Sequence, residues 1–203
     1  MTELLSGKAL CVVRGDRCLV RDLDFSLDSG ELLFIEGSNG SGKTSLMRSM
    51  AGLLPLEQGE IYWQGEPVRR NPQEFRAALV WMAHRVGFKN DLNLKVNLDF
   101  EAALRPVSDA NPGRVIERLG LGRLTGLPFR SLSAGQQRRV ALARMLLSNS
   151  LLWLMDEPFT NLDVDGRSLV TDIVTEHLQS GGLCVMASHQ PVEVDANIRK
   201  IKL

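Results

Sequence analysis

Eight residues, Gly37-Ser38-Asn39-Gly40-Ser41-Gly42-Lys43-Thr44, constrain this chain more than any other stretch. They satisfy the spacing G-x-x-x-x-G-K-[ST], in which backbone N–H groups wrap an anion and a Cβ at the fixed glycines would hold that anion away. Lys43 supplies a point charge for β- and γ-phosphates, and the Thr44 hydroxyl supplies a ligand for Mg²⁺. The helix that follows turns its positive end toward the same anion. The flanks agree with this reading. Leu32-Leu33-Phe34-Ile35 has the length and apolarity of a buried strand, and Ser45-Leu46-Met47-Arg48-Ser49-Met50 continues as a helix with Leu46 and Met50 four apart. Gly37 through Ser45 are therefore the expected nucleotide contacts.

The 203 residues suffice for one compact domain with a small subdomain, and 44% hydrophobic residues is ordinary for a globular chain. Lys+Arg and Asp+Glu are 24 each, so the net charge is zero, which argues against a nucleic-acid binder with its usual basic surplus. No apolar run reaches the length of a membrane span, and Met1 to Lys8 lacks a signal-peptide pattern. Cys11, Cys18 and Cys184 have no metal-ligand or haem-attachment spacing. Cys11 and Cys184 sit in apolar runs, so buried reduced thiols are expected.

Along the chain, Lys8 to Leu27 alternates around Arg14-Gly15-Asp16-Arg17, which predicts a hairpin with strands at Ala9–Val13 and Leu19–Leu27. Ile61-Tyr62-Trp63 is a short strand. Asn71-Pro72 caps a brief helix, Gln73–Ala78, ahead of a strand at Leu79–Ala83. From Asn90 to Arg130 the pattern is mixed. Leu92, Leu94, Val96, Leu98 and Phe100 alternate like a strand, whereas Glu101-Ala102-Ala103-Leu104-Arg105 and the set Val115, Ile116, Leu119 favour helix. A mostly helical insert is expected there, with Asp109-Ala110-Asn111-Pro112-Gly113 as a loop. Beyond it come a helix at Gln136–Leu147, a strand at Leu151–Met155, a helix at Ser168–Leu178 and a strand at Leu183–Ala187. Continuously apolar strands alternating with helices predict a parallel sheet covered on both faces, with ligands at the carboxyl ends of its strands.

Two segments carry further chemistry. The strand Leu151–Met155 runs into Asp156-Glu157-Pro158, and carboxylates at a buried strand end are costly unless a cation meets them. Mg²⁺ beside a triphosphate is such a cation, which fits Asp156 as its ligand and Glu157 as the base that orients the attacking water. Leu132-Ser133-Ala134-Gly135-Gln136 opens a helix with Ser133 as N-cap and small residues in the first turn, a second anion site. Two phosphate sites in one chain make sense when the second serves another molecule's nucleotide.

Taken in order, Gly37–Thr44, Leu132–Gln136, Leu151–Glu157, Asn161-Leu162-Asp163 and His189 resemble the Walker A, signature, Walker B, D-loop and switch-histidine motifs of the ATP-binding-cassette (ABC) ATPases. The resemblance runs from the first core strand to the last. It implies an α/β P-loop NTPase fold with a RecA-like parallel-sheet core. An antiparallel β part (about residues 1–30 and 55–70) and a helical subdomain (about residues 88–131) would complete it. It also implies a head-to-tail homodimer with two ATPs at the interface, each between one chain's phosphate loop and Ser133–Gly135 and Gln136 of the other. Asp163 would communicate across that dimer, and His189 would contact the γ-phosphate and hold the water with Glu157.

Four positions depart from the general pattern. Arg14 stands where an aromatic commonly stacks on adenine, a role that a guanidinium plane also fills. His84 takes the place of the usual glutamine in the loop facing the membrane partner. Val96-Asn97-Leu98 lacks the preceding glutamate, and Ala134 replaces the second signature glycine. Together with Leu-Ser-Ala-Gly-Gln-Gln-Arg-Arg and Ser188-His189-Gln190-Pro191, these features resemble the ATPase subunits of bacterial cytochrome c maturation (haem export) systems. That resemblance implies transmembrane permease partners at the cytoplasmic face of the inner membrane, with Arg85–Leu104 taking the thrust to them. Two alternatives stand beside it. One is the ATPase of another small ABC importer or exporter. The other is a non-transport ABC ATPase, although the coiled coil, second cassette or basic arm usual there is missing from this sequence.

Overall fold

A computed structural model describes residues 3–104 and 110–203. Its elements, in chain order, are β1 (Leu5–Arg14), β2 (Arg17–Leu27), β3 (Glu31–Glu36), α1 (Lys43–Met50), β4 (Gln58–Trp63), β5 (Glu66–Pro67), α2 (Pro72–Ala78), β6 (Leu79–Met82), α3 (Leu94–Ala103), α4 (Pro112–Arg118), α5 (Ala134–Leu146), β7 (Leu152–Asp156), α6 (Val164–Gln179), β8 (Leu183–Ala187) and β9 (Asn197–Lys202). The strands form an antiparallel sheet ordered β2-β1-β4-β5 and a parallel sheet ordered β6-β7-β8-β3-β9.

Each core strand is apolar on both sides because each side meets a different layer. Leu33, Ile35, Leu152, Leu154, Leu183 and Val185 point into a cluster shared with α1, α2 and the antiparallel sheet. Their neighbours Leu32, Phe34, Trp153, Met155, Cys184 and Met186 point the other way, into a cluster with α3, α4, α5 and α6. The period-2 alternation of a pleated strand thus divides one apolar run between two cores. The helical insert enters the second core through Leu94, Leu98, Val115 and Leu119.

Most expected elements lie within a residue or two of their predicted ends; β4 begins at Gln58 and not at Ile61, and α6 at Val164 and not at Ser168. The hairpin strands run past the expected Ala9–Val13 and Leu19–Leu27. Register shifts near Ala9 and Asp22, both at φ 49°, break the alternation that would have extended them. After Asn90 the mostly helical insert forms as expected, with Leu94, Val96, Leu98 and Phe100 all in α3. Asn93 caps α3 by accepting from the Val96 amide at 2.8 Å, Leu94 and Leu98 face the core, and Val96 and Phe100 are left outside. The expected loop at Asp109–Gly113 is instead a helix start. Asn111 accepts from the Arg114 amide at 3.2 Å and Pro112 follows it, repeating the device at Asn71-Pro72. Asp109 and Arg105 lie outside the described residues. Strand β9 escaped notice because only Ile201 of its six residues is buried, as suits a sheet edge. Of the cysteines, only Cys184 is buried, which pushes its thiol up. Cys11 is half-buried and Cys18 exposed, with their sulfurs 4.0 Å apart across the hairpin.

His177 of α6 stacks on Trp153 of β7 with ring centroids 3.8 Å apart and planes 7° apart, and its Nε2 lies 3.2 Å from the Leu183 carbonyl oxygen. Burial lowers its pKa from 6.5 to about 4. The unfolded chain therefore binds a proton between these values that the folded chain does not. The stabilisation from the neutral ring is complete above pH 6.5 and is lost as pH falls toward 4. Allowing for partial exposure of the ring, the loss is on the order of 2 kcal/mol. His177→Phe, which keeps the stack, is expected to lose less stability than the wild type between pH 7 and pH 4.5. Denaturant melts across that range would show it, and parallel curves would refute the assignment.

Candidate functional site

Strand order builds the site. Because β6, β7, β8 and β3 are parallel neighbours, the turns leaving their carboxyl ends lie side by side along one sheet edge. Strand β6 delivers His84, β7 delivers Asp156 and Glu157, β8 delivers Ser188 and His189, and β3 delivers the loop Gly37–Gly42. A cavity of about 620 Å³ opens there, and Arg14, Asn39, Gly40, Lys43, Thr44, Ser45, His84, Asp156, Glu157 and His189 all line it.

The phosphate loop is held by its own charge. The Lys43 ammonium donates to the carbonyl oxygens of Gly37 at 2.7 Å and Ser38 at 3.1 Å, so the loop closes around this side chain. Gly42 ends the loop at φ 109° and serves as N-cap of α1. A Cβ there would lie 3.0 Å from the Leu19 Cβ, in a conformation L-residues rarely adopt.

Next to it, the Thr44 hydroxyl donates to Asp156 Oδ2 at 2.9 Å. The other carboxylate oxygen, Asp156 Oδ1, is buried with no hydrogen-bond partner among the described residues. Burial raises the Asp156 pKa, against the lowering effect of the Thr44 hydrogen bond. A buried carboxylate oxygen with a free lone pair beside a hydroxyl is a half-made oxygen site for a hard cation. Phosphate oxygens and water would complete the coordination.

Glu157 and His189 form a pair. Glu157 Oε2 lies 2.7 Å from His189 Nδ1, so an Nδ1–H donates to the carboxylate from a half-exposed ring. The Glu157 backbone sits at φ 52°, a left-handed conformation that costs a residue with a Cβ about 1–3 kcal/mol. Its amide is anchored to the Ala187 carbonyl oxygen at 2.8 Å. The turn, rather than a strand, thus sets where the carboxylate points.

At the far end of the cavity stands the tip of the β1–β2 hairpin. Arg14 was expected there. Its register partner Arg17, together with Leu19 and Thr160, also lines the cavity and was missed. The signal for Arg17 was present, since a two-residue turn places residues 14 and 17 opposite each other.

The remaining expected residues collect elsewhere. Ser133, Ala134, Gly135, Gln136 and Asp163 line a separate cavity of about 540 Å³ that shares no lining residue with the first. Ser133 accepts from the Gln136 amide at 3.3 Å, and Gln136 Oε1 accepts from the Ser133 amide at 2.9 Å. This capping box already uses one N–H of the helix end that was expected to stand open, which narrows the anion site to the first two helical residues. Glycine is required at 135 because a Cβ would come within 2.9 Å of the Asn161 carbonyl oxygen, whereas Ala134 meets no such demand. Asp163 accepts from the Gly166 amide at 2.8 Å as N-cap of α6 and lies 3.6 Å from Arg139. Asn97 also finds its reason. It is buried and bonded to Lys89, Leu92 and Asn93, so it staples the turn between His84 and α3.

Gly42→Ala is expected to weaken binding of a fluorescent ATP analogue at least tenfold and to lower stability by about 1–3 kcal/mol, since the αL loop end must shift. Nucleotide titration and thermal melts check both effects. Unchanged affinity would show that the loop end does not set the anion seat.

Comparison with known proteins bears on the fold and the family. The ABC transporter family model matches residues 20–160. The chain is 40% identical over 201 residues to the cytochrome c biogenesis ATP-binding export protein CcmA 1 of Salmonella typhimurium, covering 98% of this chain and 97% of that protein. It is 39% identical over 204 residues to CcmA of Escherichia coli K12, covering 98% and 96%. Among solved structures, an ABC transporter ATP-binding protein from Pyrococcus furiosus superposes with a TM-score of 0.82 at 22% identity, covering 98% of this chain and 96% of that one, which speaks to fold alone. The nucleotide loop, the carboxylates of β7 and this likeness along nearly the whole chain lead to one assignment: the protein belongs to the ABC transporter ATPases and, within them, to the cytochrome c biogenesis ATP-binding export proteins.

Proposed function

We propose that the chain hydrolyses ATP as a head-to-tail homodimer docked on transmembrane permease subunits, at the cytoplasmic face of a bacterial inner membrane. Its work would be haem export or haem delivery for c-type cytochrome biogenesis. The observation that carries the hydrolytic reading is the Glu157–His189 contact of 2.7 Å at the strand edge beside the phosphate loop. A carboxylate fixed there can accept a proton from water, and the imidazole beside it can hold that carboxylate and face the terminal phosphate.

In this reading ATP lays its triphosphate along Gly37–Ser45, with Lys43 between the β- and γ-phosphates and Arg14 and Arg17 around the base. Thr44 and Asp156 would hold Mg²⁺, which supplies positive charge to the phosphate oxygens when bound. The partnerless Asp156 Oδ1 supports that fit. His84 adds a polar group from β6. Ser133–Gln136 and Asp163, gathered in a cavity of their own, would face the nucleotide of the second copy. That division supports the head-to-tail dimer, in which the two cavities of one chain serve two different nucleotides.

The membrane partner has a fitting surface. Val96, Phe100 and Leu104 are 43%, 54% and 67% exposed along α3 and its end, with Leu92 and Leu127 beside them. An apolar stripe on an insert that follows the His84 loop suits a docking helix from a permease, and Val96 in place of the usual glutamate extends it. The process, cytochrome c biogenesis, is read from the relatives' names, and haem as the cargo from the sequence resemblance alone. The chain's three histidines are committed elsewhere: His84 and His189 line the nucleotide cavity and His177 is stacked and neutral. Haem contacts would therefore belong to the partners.

Glu157→Gln is expected to retain ATP, to lower turnover at least a hundredfold and to accumulate a nucleotide-bound dimer in sedimentation. Normal turnover would remove Glu157 from its role. The same variant, pulled down with ATP-Mg²⁺ from detergent-solubilised membranes, is expected to bring cytochrome c biogenesis membrane subunits. An unrelated permease would discard the haem assignment, and a soluble nucleic-acid partner would overturn transport.

A further inference from the structure

Arg138 is a buried guanidinium, 5% exposed, that no step above employs. It lies in the second turn of α5, the helix whose first turn is Ala134-Gly135-Gln136. Instead of a carboxylate it meets four backbone carbonyl oxygens. Its Nε donates to Pro158 at 3.3 Å, its Nη1 to Ala83 at 3.1 Å, and its Nη2 to Asp156 at 2.6 Å and to Glu157. Three of these carbonyls are consecutive and form the turn that carries the catalytic carboxylate. The fourth belongs to the residue before His84. Burial lowers the guanidinium's pKa to about 10, against the opposing pull of Asp156 and Glu157, and it stays charged at neutral pH.

A charged donor turned entirely on main-chain oxygens acts on backbone shape. The shape in question is unusual, because Glu157 holds a left-handed conformation at φ 52°. Its amide side is fixed by Ala187 at 2.8 Å, and its carbonyl side is fixed by Arg138. No neutral side chain places three N–H groups in one plane to bridge such a turn and a neighbouring strand end.

We infer that Arg138 is a positioning residue for ATP hydrolysis. It holds the Asp156-Glu157-Pro158 turn in the conformation that brings the Glu157 carboxylate to His189, and it ties the Ser133–Gln136 helix start to that turn and to the His84 loop. When the helix start meets the second copy's nucleotide, any displacement of α5 reaches the hydrolytic carboxylate through one rigid planar group. The inference rests on Glu157 acting as the base.

The test measures ATP turnover against ATP concentration for the full chain with its membrane partners, comparing wild type, Arg138→Gln, Arg138→Lys, Glu157→Gln and the Arg138→Gln/Glu157→Gln double variant. Arg138→Gln is expected to lower kcat ten- to a hundredfold with KM changed less than threefold, because the phosphate loop is untouched. Arg138→Lys, which keeps the charge and loses the fork, is expected to recover part of kcat. In the Glu157→Gln background the Arg138 substitution is expected to cost nothing more. A kcat within twofold of wild type, a KM that rises in step with the loss, or full additivity with Glu157→Gln would each overturn the inference. Should Arg138→Gln fail to fold, the kcat and KM of Arg138→Lys decide it by the same criteria. Normal turnover in Glu157→Gln would instead defeat the base assignment itself, so the two failures are distinct.

Discussion

The parallel hydrogen-bond ladder joining β6, β7, β8 and β3 is what the chemistry depends on. Parallel pairing puts every carboxyl end on one edge, and the strand order fixes which turns become neighbours. Glu157 and His189 are 32 residues apart in sequence and within hydrogen-bond distance because β7 and β8 pair directly. Thr44 and Asp156, 112 residues apart, meet because β3 lies one strand further along. The ladder in turn needs both of its faces covered, which is why each core strand is apolar throughout and why helices and the antiparallel sheet enclose it.

Placing charge at the rim of such a sheet carries a desolvation cost, and the structure meets it differently at each group. Lys43 is satisfied by carbonyls of its own loop. Arg138 is satisfied by the turn that it shapes. Asp156 is satisfied on one oxygen only, by Thr44, and the second oxygen remains without a partner. Both cations thus meet main-chain oxygens, whereas the carboxylate expected to meet a metal ion keeps one oxygen without a partner among the described residues. The same contrast separates His177, neutral and stacked far from the rim, from His189, which is half-exposed and bonded to a carboxylate.

Local rules carried much of the fold into view. Helix starts announced themselves where a capping side chain precedes a proline or a small residue, as at Asn71 and Ser133. The same rule applied to Asn111 would have turned an expected loop into the start of α4. Strands were legible where both faces are buried and poorly legible where a bulge interrupts alternation, as at Ala9 and Asp22, or where an edge strand is mostly polar, as in β9. Around Phe100 the alternation competed with the helical insert that was expected and that forms, because Leu92, Val96 and Phe100 face outward and were never part of a core.

For the site, the sequence alone determined the residue types: a glycine-rich loop ending in a lysine and a threonine, an acidic pair at a strand end, a histidine and a second capped helix start. These are short-range patterns, and their chemistry follows from neighbours along the chain. Only the tertiary structure decided who meets whom. It paired Glu157 with His189, placed Arg17, Leu19 and Thr160 in the cavity beside the glycine-rich loop, set the Ser133–Gln136 group and Asp163 in another, and buried Arg138 against the Asp156-Glu157-Pro158 turn. Each of these depends on strand order, helix docking or backbone conformation, and such long-range contacts leave no periodic trace in a sequence.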